Sequence, residues 1–168
     1  MNTIFLSGAI LLIAILLYGR RKPGSNSGNK TLSLLKKRQC YQPRAFMTDR
    51  ERIFFRSLCC ALSGHSLLVM AQVRLADVVR VSSGFTAAQS RTLFRQISQW
   101  HCDFVVVDSR DFSVKAVIEL DDRSHLRPER QRRDEIFNLV VIQAGIPLYR
   151  PRSVKQAKEV ADCILRRV

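Results

Sequence analysis

The chain has 168 residues and 46% hydrophobic content, which suits one packed domain with an appendage and excludes a large multidomain protein. Its five cysteines contain no CxxC pair, which argues against a clustered zinc site and indicates reduced thiols, as in the cytosol. The formal net charge of +14 suits phosphate-rich partners such as nucleic acid or anionic lipid, although a solvated basic surface would look the same.

The N-terminal segment is almost wholly apolar from residue 4 to residue 18. A membrane-spanning helix usually needs about 20 residues, and flanking residues together with snorkelling arginines make up the difference. A cleaved signal peptide is disfavoured because basic residues follow the apolar run instead of preceding it. A buried core helix is disfavoured because the segment is not amphipathic. Residues 1–19 are therefore predicted to be an uncleaved anchor, with the N-terminus outside and the domain in the cytosol.

Residues 20–46 are predicted to be a flexible basic linker. Residues 23–29 read PGSNSGN, a composition typical of flexible linkers. Eight basic residues and no acidic ones precede Asp49. This stretch is expected to rest on anionic lipid at the membrane surface, and a nucleic-acid-binding arm is the less favoured alternative.

Residues 47–168 are predicted to form an α/β domain. Its first helix should begin at a capping box, because Thr48 is followed three residues later by Glu51. Hydrophobic periodicity and turn residues then predict the order α-β-(α)-β-β-α-β-α. The predicted segments are a helix at 48–62, a strand at 67–73, a helix at 87–98, strands at 102–108 and 114–120, a helix at 129–144, a strand at 146–150 and a helix at 153–167.

The two central strands carry the pattern that matters most for function. Both are apolar on both faces, which predicts a sheet covered on two sides. If the hairpin between them is symmetric about Asp111, Asp108 faces Val114 and Asp103 faces Glu119. Opposed residues of antiparallel strands point to the same side with Cβ atoms about 5 Å apart.

Three carboxylates are then expected to converge, since Asp121 lies two residues beyond Glu119 and points the same way. Like charges so close repel unless a cation neutralises them, and Mg²⁺ or Mn²⁺ prefers oxygen ligands. In the alternative interpretation each acid pairs with an arginine. The available arginines are Arg123, Arg127, Arg130, Arg132 and Arg133.

Two further residues near these acids are candidates for the same site. His125 is a general base, a further metal ligand or a solvent-exposed loop residue. Asp134 orients His125, binds metal, or is an acid favoured at the start of a helix by the helix dipole.

These motifs resemble the PD-(D/E)XK nuclease superfamily, and its very-short-patch-repair-type endonucleases in particular. The matching elements are Asp103-Phe104, then Glu119 with Asp121, His125, the helix acid Asp134, and a final strand from Gly145 to Arg150. The domain also resembles the uncharacterised bacterial DUF2726 family. That likeness rests on TDRER at the first helix, QVRLADV at residues 72–78, and the IELDD element that precedes His125.

The resemblance implies a restriction-endonuclease-like core, α-β-β-β-α-β, with a mixed sheet flanked by helices. It implies that Asp103 and Glu119 hold the metal, that His125 moves protons and that Arg150 contacts a phosphate. Asp121 stands where the superfamily has its catalytic lysine. Another residue must then activate the water, and His125 is the candidate. The implied membrane is the bacterial inner membrane.

Two functions follow from this sequence. The first is a membrane-anchored, Mg²⁺- or Mn²⁺-dependent DNA nuclease, with Asp121 as an additional ligand and with Arg123, Arg127 and Arg130 on the phosphate backbone. The second is a catalytically inactive module that binds nucleic acid or a protein partner at the membrane.

Overall fold

The computed structural model describes residues 26–121 and 128–168. The predicted anchor at residues 1–19 lies outside these residues. Within the described ranges, no helix is both long enough and apolar enough to cross a bilayer. The chain divides into two compact units, Met1–Ala45 and Phe46–Val168.

In the first unit, helix α1 spans Asn26–Lys37, where the sequence predicted a flexible linker. The second half of this helix consists mainly of leucine and lysine, which are good helix formers. Residues 28–37 of this helix are all exposed. The glycines and serines at the start of the stretch suggested a coil, but the residues that follow them favour helix.

The second unit has the predicted mixed α/β order, with two additional short helical segments. Its elements are α2 (Asp49–Ala61), β1 (Leu67–Arg74), α3 (Leu75–Val78), α4 (Ala87–Ile97), β2 (His101–Asp108), β3 (Val114–Ile118), α5 (Pro128–Gln143), β4 (Leu148–Tyr149), a 3-10 turn (Val154–Gln156) and α6 (Ala157–Leu165).

Helix α2 begins at the predicted capping box. The Glu51 backbone N–H donates to Thr48 Oγ1 at 3.2 Å, and the Thr48 backbone N–H donates to Glu51 Oε2 at 2.6 Å. These bonds satisfy two backbone donors that a helix start would otherwise leave unpaired. The helix ends before Gly64, whose φ of +82° suits the left-handed turn into β1.

The four strands form one mixed sheet in the order β1-β2-β3-β4. The first two pairings are antiparallel, and β3 pairs with β4 in parallel. The predicted symmetric hairpin is wrong near its turn, because Val107 and not Asp108 lies opposite Val114. An irregularity between Val106 and Val107 shifts the register there, and Phe112 takes a left-handed conformation with φ +57°.

Both faces of the sheet are covered, as the apolar strands predicted. On one face Phe104 stacks on Phe54 of α2, with ring centroids 5.4 Å apart, and α6 completes this core. On the other face Val105 and Val117 pack against Phe137 of α5 and its neighbours. A charged group inside this sheet therefore meets apolar surroundings on either side.

Candidate functional site

A row of polar residues crosses the sheet at the level where β3 ends. The β1–β2 pairing keeps one constant register on both sides of Gln72, which places that residue opposite Asp103. In the next ladder Phe104 faces Ile118, so Glu119 follows beside Asp103. Three neighbouring strands thus each contribute one polar residue at the same level of an otherwise apolar sheet.

Asp103 and Glu119, two of the three predicted metal ligands, are in direct contact with each other. The Asp103 backbone N–H donates to Glu119 Oε1 at 3.1 Å, and the Leu120 N–H donates to Asp103 Oδ2 at 2.8 Å. Side chains here replace the backbone ladder where β3 ends. Each carboxylate is fixed through one oxygen, and within residues 26–121 and 128–168 its other oxygen accepts no further hydrogen bond.

The two carboxylates lie in an environment that disfavours their charge. Burial raises the pKa of Glu119 to about 8, and the nearby charge of Asp103 adds to that rise. Burial also raises the pKa of Asp103, with further contributions from Glu51 and Asp121. Ionisation of these neighbouring, partly buried acids is therefore favoured when a positive charge lies beside them.

Asp121, the third predicted ligand, is instead paired with Arg150. Arg150 Nη1 donates to Asp121 Oδ1 at 2.9 Å, and Arg150 Nη2 lies 3.5 Å from Asp134 Oδ1. The same guanidinium lies over the Phe137 ring, 5.8 Å from its centroid. Arg150 therefore joins the end of β4 to the segment after β3 and to helix α5.

Arg50 fixes the backbone around these acids. Its guanidinium donates to the carbonyl oxygens of Leu120 at 3.4 Å, Asp121 at 2.6 Å and Arg152 at 2.8 Å. Charged donors make strong bonds to carbonyls, and one side chain here secures the exits of both β3 and β4. The start of helix α2 is thereby tied to the site.

Besides Arg50, two residues of the site were not identified from the sequence. Glu51 was recognised only as a helix cap, yet its charge contributes to the raised pKa of Asp103. Gln72 was read as part of an apolar strand, and its Nε2 donates to Glu51 Oε1 at 3.2 Å. A signal for Gln72 was present, since it is the one amide within the apolar run LLVMAQV.

Of the remaining predicted site residues, only Asp134 has a side chain within the described part of the chain. Arg123, His125 and Arg127 fall in residues 122–127, outside the described ranges, and the Arg130 side chain is outside them too. Their predicted roles stay predictions. Asp134 lies beside Arg150, with which it forms an ion pair.

Among the side chains that the structure describes, no group of three or more His, Cys, Asp or Glu residues is arranged to hold a metal ion. Asp103 and Glu119 offer two carboxylates. That number still suits Mg²⁺, which proteins commonly bind through one or two carboxylates while it keeps several waters.

A family model described as "Protein of unknown function (DUF2726)" matches residues 43–167. The chain belongs to this family. The match covers α2 to α6, so the DUF2726 domain includes the whole polar row, Arg50 and Arg150. Searches of curated proteins and of solved structures found no match.

Proposed function

We propose that this DUF2726 domain is a divalent-metal-dependent nuclease that hydrolyses phosphodiester bonds of DNA. The observation that carries the proposal is the Asp103–Glu119 pair, two adjacent carboxylates of neighbouring strands in a sheet that is apolar on both faces. An uncompensated pair of this kind is costly to bury unless a cation uses it. The resemblance to the PD-(D/E)XK superfamily supports the same assignment.

The donor set fits Mg²⁺ or Mn²⁺, since Asp103 and Glu119 each have an oxygen that accepts no hydrogen bond from the described residues. Such an ion supplies a bound water of lowered pKa and neutralises charge on a phosphate. Asp121 is paired with Arg150 through Oδ1, so it would join the ligands as an acid that an arginine already partly neutralises. His125 is proposed to move protons, and Arg123, Arg127 and Arg130 to contact the phosphate backbone.

Plasmid nicking by the full-length protein tests this proposal. Nicking is expected only with Mg²⁺ or Mn²⁺. Asp103→Asn and Glu119→Gln should each reduce it by at least about 100-fold, because they replace a carboxylate that would hold the ion. Asp162→Asn, an exposed change on α6, is the matched control and should leave nicking unchanged.

A second candidate is a module that binds nucleic acid without cutting it. The observations that favour it are the pairing of Asp121 with Arg150 and the lack of a three-residue metal group among the described side chains. Under this function, DNA binding is independent of metal, no nicking occurs, and the Asp103 and Glu119 variants bind as the parent protein does.

The proposed location is the cytoplasmic face of the bacterial inner membrane, supported by the apolar run at 4–18 and the basic residues after it. A reporter that is active only in the cytosol, fused after Val168, should be active. Deletion of residues 1–19 should move the fusion from the membrane to the soluble fraction. Activity of a periplasmic reporter at the same position would contradict this orientation.

A further inference from the structure

Gln72 has a backbone conformation that long side chains rarely adopt. Its φ is +55°, in the left-handed region, although it lies inside strand β1. Residues two apart in a regular strand face the same side, yet Ala71 packs against the core under α2 and Val73 against the core under α5. These residues show that the strand turns over at Gln72.

The turn directs the side chain of Gln72 to helix α2. Its amide Nε2 donates to Glu51 Oε1 at 3.2 Å. The other oxygen, Glu51 Oε2, accepts from the backbone N–H and the hydroxyl of Thr48 at 2.6 and 2.8 Å. One oxygen of Glu51 is therefore fixed by the helix cap and the other by the edge strand.

We propose that Gln72, which lies opposite Asp103 in the β1–β2 ladder, is a positioning residue, whose left-handed backbone aims its amide at Glu51 and so holds the charge of Glu51 near Asp103. The inference rests on the proposed metal-dependent function, and it names the part of the chain that tunes the affinity of that site. Unusual backbone geometry inside a strand is typical of functional sites, where surrounding structure maintains it. Gln72 acts through Glu51 and needs no contact with the ion.

Gln72→Gly separates this role from a structural one. Glycine adopts a φ of +55° without steric cost, so the turn survives and only the amide is lost. The affinity of the full-length protein for Mn²⁺, measured by water-proton relaxation, should fall about 10-fold. The thermal midpoint without metal should stay the same or rise. A residue with only a structural role would not lower Mn²⁺ affinity while leaving the thermal midpoint unchanged or higher.

Phe112→Gly is the matched control. Phe112 is the other described non-glycine residue with positive φ, +57°, and it is exposed at the β2–β3 turn. The same substitution there should leave Mn²⁺ affinity unchanged. Glu51→Gln should also lower the affinity because it removes the negative charge, and Gln72→Gly should add nothing in that background because Gln72 acts only by positioning that charge.

The outcomes separate this inference from the proposed function. If the parent protein binds Mn²⁺ and Gln72→Gly binds it equally well, the positioning role is overturned and the metal site stands. If the parent protein binds no Mn²⁺, the nuclease proposal fails. The Gln72–Glu51 contact is then judged by the side-chain amide NMR signal of Gln72, which should shift in Glu51→Gln; an unmoved signal overturns the inference.

Discussion

Glu119→Gln is expected to abolish metal-dependent nicking while it makes the metal-free protein more stable at pH 8. The cause lies in the position of the Glu119 carboxyl, which burial and the neighbouring Asp103 push to a pKa of about 8, from 4.5 in an unperturbed glutamate. A glutamine of the same shape keeps an oxygen for the Asp103 N–H at 3.1 Å and carries no charge into the sheet.

The pH dependence follows from the direction of this shift. Between pH 4.5 and about pH 8 the folded protein retains a proton on Glu119 that the unfolded chain has released. The contribution of this group to the free energy of unfolding is therefore fully present below pH 4.5 and is lost as pH rises towards 8. After allowance for partial exposure, the loss is on the order of 2–4 kcal/mol.

Urea unfolding with EDTA at pH 5 and pH 8 measures this effect. The parent protein should lose stability between the two pH values, and Glu119→Gln should lose much less. Glu159→Gln, an exposed change of the same type on α6, should behave as the parent does. Equal losses in all three proteins would show that the Glu119 carboxyl titrates normally.

Mn²⁺ at pH 8 should then stabilise the parent protein and leave Glu119→Gln unaffected. An ion at 100 times its dissociation constant adds about 2.7 kcal/mol to the free energy of unfolding when it binds only the folded state. On the proposed function, the charge that destabilises the metal-free protein is the charge that binds the ion. No stabilisation of the parent protein by Mn²⁺ or Mg²⁺ would argue for the non-catalytic module.

Structural features that depend on residues close together in the sequence were predictable. The capping box needs only Thr48 and Glu51, three residues apart, and its signal is the same in any fold. The two-sided burial of β2 and β3 follows from their continuous apolar composition. Element order and strand pairing in the hairpin were accessible for the same reason.

The register near the turn was not predictable by symmetry. Phe112 takes a left-handed φ of +57° that phenylalanine rarely adopts, and the ladder shifts between Val106 and Val107. No glycine or asparagine marked the position. The shift is confined to the end near the turn, and Asp103 and Glu119 meet at the other end of the hairpin.

The partners of the acids depend on contacts between residues far apart in the chain. Gln72 meets Glu51 across 21 residues, and Arg150 meets Asp121 across 29. The sequence offered many arginines as partners for Asp121, and composition alone does not rank them. Only the parallel pairing of β3 with β4 brings the end of one strand beside the end of the other.

Arg150→Met is expected to destabilise the domain by about 2–4 kcal/mol, because one guanidinium lies between the carboxylates of Asp121 and Asp134. Arg150 and Asp121 are 21% and 19% exposed, so solvent screens their ion pair only in part. Arg150 also lowers the pKa of Glu119, whose charged form becomes costlier without it. Methionine removes the charge and supplies a thioether that packs favourably on the Phe137 ring now covered by the guanidinium.

Arg152→Met supplies the matched control, since that residue is exposed and its described contact with Arg50 uses the backbone carbonyl. Urea unfolding at pH 8 should separate the two variants, and Mn²⁺ should recover part of the stability that Arg150→Met loses. If Arg150 instead contacts a phosphate, as predicted from the sequence, its loss should weaken DNA binding and leave stability unchanged. If Arg150→Met is as stable as Arg152→Met and binds DNA more weakly, Arg150 contacts the nucleic acid. The carboxylates of Asp121 and Asp134 then do not depend on Arg150 for neutralisation.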